Sequence, residues 1–222
     1  MQYKNGLSYQ IRQLFNHYPN LKMKQDNGVI IEVVGEILVS GRVKLFTVLK
    51  MYQVKLLIFK KLEQLPKVYE IGGEVEKTYA HISDSGLLCL ETDTSVKLHF
   101  LNGFDLVEWL KRYVEPYFIS YEFYQRYGRF PFGERPHGVI GIIDTYQQLF
   151  NNADLKSTLK IMLYVIRKSY RGHKECPCGS GLRIRDCHGE NMKLFYENKA
   201  ALEILKQDIE YIQKEVKSIA EN

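Results

Sequence analysis

Four cysteines carry most of the chemical information in this chain, and they are unevenly placed. Cys176, Cys178 and Cys187 fall close together, with His188 directly after the third. The pattern Cys-x-Cys, eight residues, Cys-His offers three thiolates and one imidazole, a standard tetrahedral donor set for Zn2+. Gly179 and Gly181 let the backbone wrap tightly round a small ion. A knuckle this short has no core of its own, so metal would provide most of its folding free energy. Four protein ligands close the coordination sphere, which makes the expected zinc structural rather than catalytic.

Cys89 stands alone, in His81-Ile-Ser-Asp-Ser-Gly-Leu-Leu-Cys-Leu90. A cysteine between leucines is most often a small buried hydrophobe. Three features point instead to a nucleophile. Gly86 allows a sharp turn three residues before it, His81 lies within reach across a loop, and a long irregular segment from Pro66 to Gly86 leads up to it. His137 is a second candidate base, with a plain loop histidine as its alternative. Asp84, Asp93 and Glu134 could orient or relieve an incoming amine of its proton, or be surface carboxylates. Cys89 with His81 or His137 would also fit a cysteine hydrolase, if thiol and imidazole approach within about 3 to 4 Å. The chain has no Gly-rich phosphate loop of the Walker type, so ATP-driven activation within it is not expected.

Two resemblances sharpen these readings. Cys176–Gly181 reads Cys-Pro-Cys-Gly-Ser-Gly, and with the closing Cys187-His188 it resembles the SEC-C motif, a zinc knuckle found on many unrelated bacterial proteins. That motif is an accessory module and says nothing about the larger domain. The His-x4-Gly-x-Leu-Cys-Leu segment is similar to the active-site segment of prokaryotic ubiquitin-conjugating-enzyme-like (UBC-like) proteins, and Tyr127–Gly138 is similar to a loop of bacterial branches of that superfamily. The resemblance covers roughly residues 1–150.

It implies acyl transfer: Cys89 accepts a carboxyl-terminal acyl group as a thioester and passes it to an amine. It aligns His81 with the histidine of the eukaryotic His-Pro-Asn motif, as a loop-shaping residue. Ile82 and Ser83 replace the proline and asparagine. Ser83 could donate one hydrogen bond in the asparagine's place. The implied partners are a protein substrate and a separate activating enzyme. Relatives of this kind in antiphage defence operons, some acting on a cGAS-like nucleotidyltransferase, extend that implication. The alternative is a non-catalytic UBC-like scaffold that recruits partners through a structural zinc site.

The elements that must position these residues read as α+β. Leu7, Ile11, Leu14, Phe15 and Tyr18 make one apolar stripe and predict a helix over 7–18, ended by Pro19-Asn20. β-Branched runs over 29–34, 37–39, 43–51 and 52–59, with Ser40-Gly41 as a turn, predict a four-strand antiparallel meander. Helical spacing resumes over 103–123, where Pro116 should kink or split the helix, and over 139–150 and 155–170. Trp109, Tyr121 and Tyr124 on these helices are expected in the core. From Asn191 to Asn222 the near 4-3 spacing of Leu194, Ala201, Leu205, Ile209, Ile212, Val216 and Ile219 predicts one long amphipathic helix, packed on its own body or pairing in a homodimer. The expected organisation is a UBC-like domain (1–150), a connecting helix (151–172), the zinc knuckle (173–190) and the C-terminal amphipathic helix (191–222).

Composition narrows the rest. The 222 residues are 45% hydrophobic and 26% charged, enough apolar material for a packed core. A net charge of +5, spread along the chain, gives no nucleic-acid face. Absence of a long apolar run and of a signal-peptide start leads to the expectation of a cytoplasmic protein without membrane contact.

Overall fold

A computed structural model describes residues 1–131, 133 and 136–220. The element order is mixed α+β: an N-terminal helix, four antiparallel strands, then a series of helices. The chain divides into two compact units, Met1–Glu91 with Asn102–Glu134 and Thr92–Leu101 with Arg135–Asn222. The helix over 138–150, expected to close the first domain, therefore belongs to the second unit.

In the first unit, α1 (Leu7–His17) forms where the stripe predicts and buries Ile11 and Leu14. Strands β1 (Leu21–Asp26), β2 (Ile30–Val43), β3 (Phe46–Phe59) and β4 (Lys67–Glu70) pair in chain order, all antiparallel, as the meander expectation requires. Next come α3 (Leu106–Trp109), a π-helical turn (Leu110–Val114) and α4 (Glu115–Tyr127). Pro116 has no N–H to give the Arg112 carbonyl, and the widened turn lies directly before that gap.

The strands are not the four expected runs: 29–34 and 37–39 merge into β2, 43–51 and 52–59 merge for the most part into β3, and β1 and β4 lie outside them. Ser40-Gly41 is no turn: β2 runs straight through it, Ser40 facing Leu49 and Gly41 facing Val48. At Gly41 the Ile119 side chain of α4, which packs on this strand, fills the space a Cβ would take and would have to move aside for one. Gly35, at φ 148°, lies against the Asn20 carbonyl, so it permits a close crossing instead of separating two strands. The true turn is Lys44-Leu45, with Lys44 at φ 56°. The inward alternation of β2 and β3 buries Val33, Ile37, Val39, Tyr52, Val54, Leu56 and Ile58. Tyr52 stacks on Phe118 of α4 at 3.9 Å between ring centroids, and its hydroxyl donates to Glu122. Each such side chain contributes about 1.5–3 kcal/mol of transfer free energy. Trp109 and Tyr121 join this core, and Tyr124 is half-buried.

The second unit is helical: α2 (Asp93–His99), α5 (Gly138–Phe150), α6 (Leu155–Arg167), α7 (Gly189–Glu197) and α8 (Lys199–Ala220). No apolar periodicity announces α2; Thr92 caps it by accepting from Ser95 N. The expected single tail helix is broken. Asn198 leaves helical geometry at φ −120°, ψ 108°, and its Oδ1 accepts from Ala200 N and Ala201 N, so one helix ends and another is capped at one residue. The seam of α8 turns inward: Ala201, Leu205, Ile209 and Ile212 join the unit's own core with Tyr146, Phe150, Ile161 and Phe195. Val216 is exposed, and the Ile219 side chain lies outside the described residues. Inside this core Asp208 of α8 accepts from Tyr146 Oη at 2.7 Å and Thr94 Oγ1 at 2.9 Å, tying α2, α5 and α8 together. Among the described residues no helix is long and apolar enough to cross a membrane.

Candidate functional sites

The second unit brings Cys176, Cys178, Cys187 and His188 together, their ligand atoms all within 4.8 Å of one another. A short antiparallel bridge between Glu175 and Arg183 starts the fold, with Cys176 N donating to Leu182 O at 2.8 Å and Ile184 N to Lys174 O at 2.8 Å. Gly179 N closes a turn on Cys176 O at 3.1 Å, and the left-handed backbone at Gly179 (φ 87°) reverses the chain. One turn of 3-10 helix (Ile184–Asp186) carries Cys187 back, and His188 immediately precedes α7. Gly189 has to be small, since a Cβ would stand 2.6 Å from Ile184 O.

The geometry fits an ion. Cys178 and Cys187 Sγ are 3.7 Å apart, while a tetrahedron with Zn–S bonds of about 2.3 Å requires an S···S edge of about 3.8 Å. His188 Nδ1 lies 3.3 Å from Cys176 Sγ and 3.1 Å from Cys187 Sγ. Burial holds the His188 imidazolium down, favouring the neutral ring that ligates metal. Burial pushes the Cys176 thiol up to about 12, so a thiolate persists there only beside positive charge. The cluster could hold a metal ion and is compatible with zinc. It is not an isolated knuckle: Cys176 and Ile184 are buried in the helical core, and Ser157 Oγ of α6 donates to Cys178 O at 3.0 Å.

The second candidate belongs to the first unit. Residues 81–89 form a tight hairpin rather than an irregular loop. Ser83 N donates to Leu87 O at 2.9 Å, Gly86 N to Ser83 O at 2.9 Å and Cys89 N to His81 O at 2.8 Å. The hairpin docks on β4 through Glu70 N to Gly86 O and Leu88 N to Val68 O, both 2.9 Å. Gly86 (φ 84°) lies flat on the Glu70 carbonyl, where a side chain cannot fit. This register makes His81 and Cys89 direct cross-strand neighbours, and an imidazole nitrogen lies within 4.8 Å of the sulfur.

Cys89 is exposed, so the buried-hydrophobe alternative does not hold. His81 is buried, its ring against Tyr79 at 5.4 Å and Phe130 at 5.1 Å, and its carbonyl accepts from Tyr117 Oη at 3.1 Å. Ser83 stands two residues further along the same arm of the hairpin. Its hydroxyl accepts from Leu87 N at 3.0 Å and meets Ser85 Oγ at 2.8 Å, so it shapes the turn.

Asp84 lends its carbonyl to Lys77 Nζ at 2.9 Å. Asp93 sits in the first turn of α2, 3.4 Å from Lys97. His137 directly precedes α5 in the second unit, and Glu134 lies outside the described residues. Two contributors went unanticipated. Glu91 was signalled only as a carboxylate two residues beyond a candidate nucleophile, and Tyr117, distant in sequence, had no local signal.

Desolvation first, and the Glu91 carboxylate second, raise the Cys89 thiol above its ordinary range. The thiol is therefore protonated near neutrality, and the thiolate fraction grows with pH. Alkylation by iodoacetamide, followed at Cys89 by peptide mapping, is expected to accelerate about tenfold per pH unit from neutral to beyond the ordinary thiol value. A rate that levels off near pH 7 would show a stabilised thiolate and contradict this electrostatic picture.

Comparison of the chain with family models, with curated proteins and with solved structures finds no match.

Proposed function

We propose that the first unit is a UBC-like acyl transferase with Cys89 as its nucleophile, and that the Cys176–His188 cluster holds a structural zinc. The observation that carries the reading is an exposed Cys89 fixed by hairpin hydrogen bonds beside His81. The order helix, antiparallel four-strand meander, cysteine-bearing segment, helices supports it further.

The chemistry runs in two steps. The Cys89 thiolate attacks the carbonyl carbon of a protein C-terminus already activated as an acyl adenylate or thioester; a C–S bond forms and the nucleotide or donor thiolate departs. A neutral amine then attacks the same carbon. The C–S bond breaks, Cys89 recovers its electron pair, and the proton released from nitrogen passes to solvent or to a carboxylate. A thiol with a raised pKa is a strong nucleophile once ionised, though a slower leaving group. His81, buried and hydrogen-bonded through its carbonyl, positions the hairpin. The donor comes from a separate activating enzyme, and the acceptor is an amine of a protein substrate, such as a cGAS-like nucleotidyltransferase in a defence setting.

Co-expression with neighbouring gene products tests the reading by intact mass. A partner mass increase equal to an acylated modifier, lost in Cys89→Ala and trapped on the enzyme as an ester in Cys89→Ser, is the expected result. Identical partner masses with wild type and Cys89→Ala would leave the non-catalytic scaffold as the better account.

A further inference from the structure

We propose that the outer face of the β2–β3 hairpin is a self-complementary surface that binds a second copy of this chain. One face of an antiparallel sheet packs on the core, and the other normally carries polar residues to water. Here the solvent face breaks that rule. Leu38 is 51% exposed, Leu49 71% and Met51 36%, and Leu45 at the tip reaches 90%. Leu38 pairs directly with Met51, and Ser40 with Leu49, so the apolar side chains form one contiguous patch. Contiguous apolar surface of this sort marks an interaction site.

Charge placement selects the occupant. On β2 the outward residues run Glu36, Leu38, Ser40, Arg42, an acid at one end of the patch and a base at the other. Their partners on β3 run Gln53, Met51, Leu49, Thr47. A two-fold axis crossing the strands level with Val39 lays β2 antiparallel over its copy. Glu36 then faces Arg42 of the second chain, and Arg42 faces its Glu36. On β3 the same operation sets Leu49 against Met51 of the copy and Thr47 against Gln53. An isologous contact requires this match of one patch to itself. Both carboxylates and both guanidiniums become paired, and the apolar centre is closed from water. Arg42 keeps its Nε bond to the Lys44 carbonyl at 2.8 Å, which aims the guanidinium and leaves other N–H donors for the partner.

Sedimentation of the full chain, with charge-reversal variants checked for folding by circular dichroism, tests the surface. Wild type should pass from 26.1 kDa to twice that mass as concentration rises over roughly 1 to 100 μM. Glu36→Arg or Arg42→Glu alone opposes like charges twice across the axis and should weaken association about tenfold or more. The double reversal Glu36→Arg/Arg42→Glu restores both pairs and should restore the dimer. A chain monomeric throughout the range overturns the proposal. So does a dimer indifferent to the single reversals, which would place the contact elsewhere, for example along α8. Single reversals not rescued by the double variant would also overturn it.

Discussion

Chelation of the proposed zinc, or replacing Cys187 by Ser, is expected to unfold the helical unit rather than merely loosen a surface knuckle. The reason is where the cluster sits. Cys176 and Ile184 are buried in one core with Ile161, Met192, Phe195 and Leu205. The backbone between Lys174 and Ile184 is held by few cross-strand hydrogen bonds, and α7 begins directly after His188. Structural zinc contributes roughly 10–16 kcal/mol of apparent binding free energy in small sites. A whole domain is stable by only about 5–15 kcal/mol. Without the ion, thiolates desolvated by burial would also repel one another or take up protons. Helical ellipticity and metal content, followed together during chelation, give the measurement. A helical signal unchanged after complete removal of bound metal would refute a structural role.

Gly86→Ala is expected to damage the cysteine site far more than it damages the fold. The added methyl group enters the space of the Glu70 carbonyl oxygen, and the left-handed backbone at Gly86 opposes any side chain. The conformational penalty is about 1–2 kcal/mol. Lifting the hairpin from β4 would also forfeit the Glu70–Gly86 and Leu88–Val68 hydrogen bonds, at about 1 kcal/mol each. The sheet core around Tyr52 and Trp109 is untouched, so Trp109 fluorescence should report a melt lowered but still cooperative. The proposed acyl transfer should fall about a hundredfold, because a shift near 1 Å at a reacting atom costs that much. Gly73→Ala is the matched control: its φ of 76° carries the same backbone penalty, yet nothing stands within 4 Å of the new Cβ. Equal loss of transfer in both variants would show that hairpin docking is not what places Cys89.

The parts of this molecule that could be read from the chain are those whose signals are local. α1, α5 and α6 announce themselves through apolar spacing, and the four residues of the Cys/His cluster through their proximity in sequence. β1 does not, because Lys22, Lys24, Gln25 and Asp26 on this edge strand are exposed and give no alternation. Gly35 and Gly41 look like punctuation, but they serve contacts to Asn20 and Ile119 that only the folded chain reveals. Asn198 looks like one more polar position on an amphipathic helix, though its side chain caps a new one. The nearness of His81 to Cys89 was readable as a short separation, but not its cause, the hairpin register set by Gly86 against β4.

Thr94 and Asp208, 114 residues apart, meet inside the helical unit, whose first helix is borrowed from the middle of the chain. On the ribosome, α2 emerges long before α5, α6 and α8 exist to receive it. Nascent chain carrying Leu98 and Leu101, which pack against that helical core, must therefore wait, uncovered, until α8 has emerged. Cutting this polypeptide into two consecutive pieces leaves the downstream piece short of a helix and the upstream piece bearing an unanswered apolar strip. Quality control by proteases would thus remove incomplete copies before they accumulate.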